Sequence, residues 1–241
     1  AGAEVSHVGA IGSDGLWLRD FLQAEGVDIS GIMVGGGLSG LAMIQVRGDG
    51  ENAIVLSPGA NREIDPHLIH TAIRRLPAGS WFLCQNETNA VPEAIRAARS
   101  AGHIVCVNPA PMDSTAKAFP YEAADWVIVN ETEAAGLLGE DGAESVLQKW
   151  QSLFPETGLV LTLGAGGSVG LFNGKIHRQA ALPAEVVDTT AAGDTFVGFL
   201  LHALAGGSNL PTALERAARA SAFTVSRPGA AASIPRSSEL E

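Results

Sequence analysis

At 241 residues with 46% hydrophobic content, the chain is long enough to bury the core of one large α/β domain. Its formal charge of −11, from 26 acidic against 15 basic residues without a Lys/Arg cluster, argues against nucleic acid as a partner but not against a mononucleotide held by backbone N–H groups and a metal ion. Cys84 and Cys106 lie in separate apolar runs outside any Cys-x-x-Cys pattern, which predicts reduced thiols and a cytoplasmic setting, and no apolar run reaches the roughly 18 residues of a membrane span.

Strand-like and helical patterns alternate along the chain. A strand at 5–10 is followed by a helix at 16–25, a flexible Gly35-Gly36-Gly37 joint, and two β-prone runs at 40–46 and 52–56. The intervening Arg47-Gly48-Asp49-Gly50-Glu51 suits a hairpin turn. Further on come a helix at 66–75, a strand at 81–84, a helix at 91–101, and strands at 104–107 and 126–129. Helices at 131–138 and 144–154, a strand at 159–162, a β-prone run at 168–172, and helices at 193–205 and 211–226 complete the series. This order predicts a three-layer α/β/α fold with a mostly parallel central sheet across 1–241, and a hairpin element at 38–58 standing outside that sheet.

The segment Asp188-Thr189-Thr190-Ala191-Ala192-Gly193-Asp194-Thr195-Phe196 carries the clearest chemistry. Ala191, Ala192 and Gly193 have almost no side chain, so a phosphate can approach the open N–H groups of a first helical turn, at the positive end of its dipole. A carboxylate beside that site, Asp194, repels phosphate and is tolerable where it removes a proton from an attacking hydroxyl. The competing reading is a simple helix cap by Thr190 or Asp194. Asn130 and Glu133 share a helix mouth with capping-box spacing, which serves as a cap, as a water-mediated magnesium site, or both. Thr162-Leu163-Gly164-Ala165-Gly166-Gly167 ends a strand with glycines, consistent with a nucleotide wall or an ordinary turn.

Other patterns lead elsewhere or nowhere. Gly166-Gly167-Ser168-Val169-Gly170 matches the hydrolase nucleophile elbow in letters, but a strand follows where a helix is needed. No Gly-x-x-x-x-Gly-Lys-Ser/Thr loop occurs. His67 and His70 share a helix face without a third ligand. Glu87 follows the strand at 81–84, on the edge where such sheets bind ligands, and Asn108 follows the next one.

The segment from Asp188 to Phe196 closely resembles the C-terminal signature of the PfkB carbohydrate kinases, and its Ala-Ala form is most similar to the ribokinase members. Ser57-Pro58-Gly59-Ala60-Asn61, Asn108-Pro109-Ala110-Pro111, Asn130-Glu131-Thr132-Glu133, the run from Thr162 to Gly167, and Arg227-Pro228-Gly229-Ala230 resemble further landmarks of that family in order. The resemblance implies a ribokinase-like fold with a small β lid over the sugar, which also forms a homodimer contact. It implies transfer of the γ-phosphoryl group of ATP to a pentose, most readily the 5-hydroxyl of ribose; the alternatives are a kinase of the same family for another sugar or a nucleoside, or a non-catalytic sugar- or nucleotide-binding fragment. In that scheme Asp194 is the base, Ala191, Ala192 and Gly193 form the anion hole, and Glu87 accepts from a sugar hydroxyl. Asn130, Thr162, Gly164, Ala165, Gly166, Gly167 and Gly193 contact ATP, and Glu133 holds Mg²⁺ through water. Asp188, Thr190, Thr224, Arg227, Gly229 and Ser233 surround an activating K⁺. Two departures are expected to matter. The family's first strand and early sugar-gripping motifs would precede Ala1 and its last helix would pass Glu241, so a chain cut at both ends should turn over poorly. At Ala218 the family often carries His or Asn near adenine.

Overall fold

The valine- and leucine-rich runs pair into sheets in a computed structural model that describes residues 1–46 and 52–240. The chain divides into two units. One comprises Ala1–Ala3, Trp81–Cys84 and the chain from Ile104 onward; the other comprises Glu4–Ser80 and Gln85–His103.

The first unit is built on a six-stranded sheet. It contains β5 (Trp81–Cys84), β6 (Ile104–Val107), β7 (Trp126–Asn130), β8 (Gly158–Thr162), β9 (Ser168–Phe172) and β10 (Lys175–Gln179), in the spatial order β10-β9-β8-β7-β6-β5. From β5 to β8 the pairing is parallel, and β9 and β10 turn antiparallel at the far edge. Alternation along the strands loads both faces. Trp126, Ile128 and Val160 join a core with Phe196, Phe199 and Leu200 of α6 (Ala192–Ala205) and Leu210, Leu214 and Ala217 of α7 (Leu210–Val225). Val127, Val129, Leu159 and Leu161 point the other way and are equally buried, on the side where α4 (Glu131–Leu138) and α5 (Ala143–Leu153) pack against β7 and β8.

The β5–β6 register pairs Leu83 with Cys106 and Cys84 with Val107, so the two thiols point to opposite faces and both remain free. Burial pushes the Cys84 thiol up to about 12 and raises Cys106 well above its ordinary value.

The second unit pairs β1 (Ser6–Ile11) in parallel with β2 (Asp28–Val34) across α1 (Leu16–Ala24). Next come the antiparallel pair β3 (Leu41–Val46) and β4 (Asn52–Ser57), then α2 (Pro66–Arg75) and α3 (Val91–Ser100), which pack on each other. Asp65 caps α2 by accepting from the His67 N–H at 2.8 Å, with Pro66 in the first turn. The β3–β4 pair forms a two-stranded sheet of its own, and the turn expected at 47–51 lies outside the described residues. Met43 opposes Val55 on one face while Leu56 opposes Ala42 on the other, and Leu41, Met43, Val55 and Leu56 are all about half exposed. β2 and β10 add strands that the apolar pattern does not predict.

Gly158 shows how tightly the first unit is packed. It opposes Trp126 across β7–β8, and a Cβ there would sit 2.6 Å from the indole. Its bare backbone lets the ring cross β8 and stack on Phe172, with centroids 4.6 Å apart and planes 21° from parallel. Gly158→Ala should therefore cost about 1–3 kcal/mol of unfolding free energy, read as a lower urea midpoint at unchanged slope. An unshifted midpoint would show that the indole moves aside freely.

Candidate active site

The chain enters α6 through a turn whose N-cap residue has no capping side chain. Ala191 occupies that position in the left-handed region, φ 62° and ψ 5°. Left-handed backbone costs a non-glycine residue roughly 1–2 kcal/mol, so something must hold it. Asp188 does: its Oδ1 accepts from the Thr190 N–H at 2.9 Å and its Oδ2 from the Gly229 N–H at 3.0 Å. The N–H groups of Val187 and Asp188 both donate to the Val225 carbonyl. Hydrogen bonds from Thr190 foremost, and from the Gly229 N–H, hold the Asp188 carboxyl below its ordinary range. From the other side, the Ser221 hydroxyl donates to the Ala192 carbonyl at 3.0 Å, and Thr224 donates to the buried Thr195 hydroxyl at 3.0 Å. The first turn of α6 is thereby fixed with small residues at its mouth and Asp194 exposed beside it.

The junction of β7 and α4 forms a complete capping box. Glu133 N–H donates to Asn130 Oδ1 at 2.8 Å, while Glu133 accepts from the Asn130 N–H at 2.9 Å and from its Nδ2 at 3.0 Å. The cap reading of this pair is therefore realised. Glu133 is nevertheless perturbed. Burial raises its carboxyl, the Asn130 N–H opposes that shift, and the charge of Asp194 raises it further. Two carboxylates from different helix mouths thus come within electrostatic reach of each other.

A cleft of about 660 Å³ opens between these helix mouths and the β8–β9 turn. Asn130, Thr162, Gly164, Ala165, Gly167 and Gly193, all expected from sequence at a nucleotide site, line it together with Ala192. Gly166, Ala191 and Asp194 do not line it, although Asp194 directly follows the lining residue Gly193. Thr162 donates to the Val129 carbonyl at 3.4 Å, so its hydroxyl is already engaged. The remaining wall, including Pro183, Val186, Ala218, Ala222 and Val225, was not foreseen, because aliphatic side chains carry no chemical signature. Ala218 was singled out only as a departure from a family pattern.

The residues expected around a monovalent cation are also gathered in this unit. Arg227 N–H donates to the Thr224 carbonyl, and the Arg227 guanidinium pairs with Glu239 at 2.8 Å over the Phe223 ring. The Ser233 hydroxyl donates to the Ala230 carbonyl at 2.7 Å, and Gly229 meets Asp188 as described. Glu87 belongs to the second unit, exposed on the loop whose Asn89 exchanges two hydrogen bonds with the Ile64 backbone. Asn108 is buried and spans strands, its Nδ2 donating to the Ile128 carbonyl at 2.9 Å. Among the described residues no helix is long and apolar enough to cross a membrane.

Comparison with known proteins bears on the family and the fold. The model of the pfkB family of carbohydrate kinases matches residues 1–237. A ribokinase of Schizosaccharomyces pombe is 34% identical, aligned over 100% of this chain and 80% of its own length. The crystal structure of a Cryptococcus neoformans ribokinase in complex with ADP is 30% identical with a TM-score of 0.85, covering 100% of this chain and 82% of that one. An Arabidopsis thaliana ribokinase complexed with ribose and ATP superposes with a TM-score of 0.87 at 26% identity, covering 98% and 80% of the two chains. The fold is therefore the ribokinase-like α/β fold, and a cleft ending at an open helix mouth with an adjacent carboxylate lies within it. The chain belongs to the pfkB family of carbohydrate kinases.

Proposed function

We propose that the chain is an ATP-dependent kinase that transfers the γ-phosphoryl group to the 5-hydroxyl of D-ribose. The observation that carries this reading is the uncapped first turn of α6 at the end of the cleft, with an exposed carboxylate one residue beyond Gly193. The known ribokinases with bound ADP, or with ribose and ATP, support the choice of substrates.

In this reading the nucleotide lies along the cleft, with its phosphates toward Gly164, Asn130 and the N–H groups at Ala191, Ala192 and Gly193. Those groups stabilise the charge on the transferring phosphoryl oxygens, because they are fixed before the reaction begins. Asp194 takes the proton of the attacking hydroxyl as the new O–P bond forms and the bond to the β-phosphate oxygen breaks. Glu87 accepts from a sugar hydroxyl, and the hairpin at 38–58 closes over the sugar.

The donor set fits Mg²⁺ held through water. Among the described residues no three His, Cys, Asp or Glu side chains cluster as direct ligands. Glu133, raised by burial and by Asp194, would be relieved by a nearby cation. Bound there with the nucleotide, Mg²⁺ offsets charge on the β- and γ-phosphates. The carbonyls around Asp188, Thr190, Thr224, Arg227, Gly229 and Ser233 suit K⁺, which would brace the strained turn at Ala191 against the loop near Gly229. The exposed apolar faces of β3 and β4 suit a homodimer through the lid, and sedimentation showing only monomer at high micromolar concentration would remove that assembly.

Asp194→Asn should fold and bind ATP as the parent does while kcat for ribose falls about 10²–10⁴-fold. Turnover near the parental rate would contradict the mechanism. A screen of ATP consumption across ribose, deoxyribose, fructose and nucleosides tests the acceptor, with ribose expected to dominate. The same assay in KCl and in choline chloride tests the monovalent ion. Potassium should accelerate the parent and not Asp188→Asn, whose amide nitrogen cannot accept from the Gly229 N–H; equal parental rates in both salts would exclude a potassium role.

A further inference from the structure

The stem of the β3–β4 hairpin is held from two sides within the second unit. Leaving β2, the chain crosses the glycines at 35–37 and reaches Ser39, which meets the turn after β1. The Ser39 N–H and the Ser39 hydroxyl both donate to Asp14 Oδ1, each at 2.9 Å. The Gly12 N–H donates to the Ser39 oxygen, also at 2.9 Å. One serine hydroxyl is thus both donor and acceptor in a closed cycle joining segments more than twenty residues apart. The approach is close enough that a Cβ on Gly12 would strike the Gly37 carbonyl, Asp14 Oδ1 and Ser39 N, and a Cβ on Gly15 would strike the Ser39 hydroxyl. On the opposite side of the stem the Ala60 N–H donates to the Leu38 carbonyl at 2.9 Å.

Among the described residues β3 and β4 pair only with each other, and Leu41, Met43, Val55 and Leu56 are about half exposed. A two-stranded ribbon of this kind is marginal alone, so its placement depends on its stem. The preceding run of glycines would otherwise let it swing.

We propose that Asp14, Ser39 and Gly12 form a clasp that sets the position of the β3–β4 hairpin for closure over the sugar; this rests on the reading that the hairpin is the sugar lid. These are positioning residues and do not touch the reacting atoms. The two Ser39 bonds also hold the Asp14 carboxyl below its ordinary value.

Hydrogen exchange of residues 41–43 and 55–57, paired with kinetics, tests the clasp in Asp14→Ala, Ser39→Ala, Asp14→Asn and Ser30→Ala. Ser30→Ala is the control, since it removes a comparable exposed hydroxyl–carboxylate bond, that from Ser30 to Asp28. Exchange in the hairpin should quicken about tenfold in Asp14→Ala and Ser39→Ala, with KM for ribose rising by a similar factor and KM for ATP unmoved. Asp14→Asn keeps the acceptor oxygen and should stay near the parent in both readouts, as should Ser30→Ala. Unchanged exchange in folded Ser39→Ala, faster exchange throughout the unit, or a mobile hairpin without a change in ribose KM would each overturn the proposal. If the parent phosphorylates no sugar, the kinase reading fails while the exchange arm still decides whether the clasp holds the hairpin.

Discussion

The left-handed turn at Ala191 is the constraint on which the site depends. A conventional serine or aspartate cap at this position would occupy the N–H groups of the first turn of α6 with its own oxygen. An alanine brings no side-chain oxygen to them, so the Ala192 N–H turns only to the Thr189 carbonyl, at a long 3.3 Å, but the alanine backbone is strained. The strain is offset by Asp188, bonded to both Thr190 and Gly229, and by the buried stripe of Phe196, Phe199 and Leu200 on α6, of which Phe196 also lines the cleft. Burial of each such side chain contributes about 1.5–3 kcal/mol, enough to keep one unfavourable residue in place. The geometry of the α6 mouth is therefore maintained by packing and by loop hydrogen bonds.

The cleft divides its chemistry along its length. Around the two helix mouths and the end of β8 lie Asn130, Thr162, Gly164, Ala192 and Gly193, where backbone polarity and the α6 dipole gather. Elsewhere the wall is built of residues such as Pro183, Val186, Ala218 and Ala222, and the nearby Ser221 hydroxyl already donates to the Ala192 carbonyl. Shape and apolar contact dominate there. Electrostatics repeat the contrast: Glu133 is raised by burial and by the charge of Asp194, so two carboxylates oppose each other at the place where the proposed function puts a divalent cation. Without a cation that opposition is unfavourable; with one it becomes a means of holding charge in place.

Much of this was legible in the sequence, for physical reasons that differ between elements. The parallel strands from β5 to β8 are continuous apolar runs because helices cover both their faces, and the helices carry clear amphipathic periods. β2 was missed because Asp28 opens it and Gly31 interrupts it, and β10 because Lys175, His177 and Arg178 make an edge strand look like a loop. Small residues next to a carboxylate marked the mouth of α6, and the N-cap position there falls on a bare alanine. For Asn130 and Glu133 the cap geometry is present, and spacing alone could not have shown the added influence of Asp194. The aliphatic cleft wall and the Asp14–Ser39 contact were invisible, since alanines, a proline and two ordinary turn residues gain meaning only from what the fold places beside them.

The central claim concerns the backbone N–H groups at the mouth of α6, and amide NMR observes them directly. On addition of Mg²⁺ and ADP with aluminium fluoride, a mimic of the transferring phosphoryl group, in the presence of ribose, the Ala192 and Gly193 amide protons should shift strongly downfield. Nucleotide binding that leaves both resonances where they were would contradict the account.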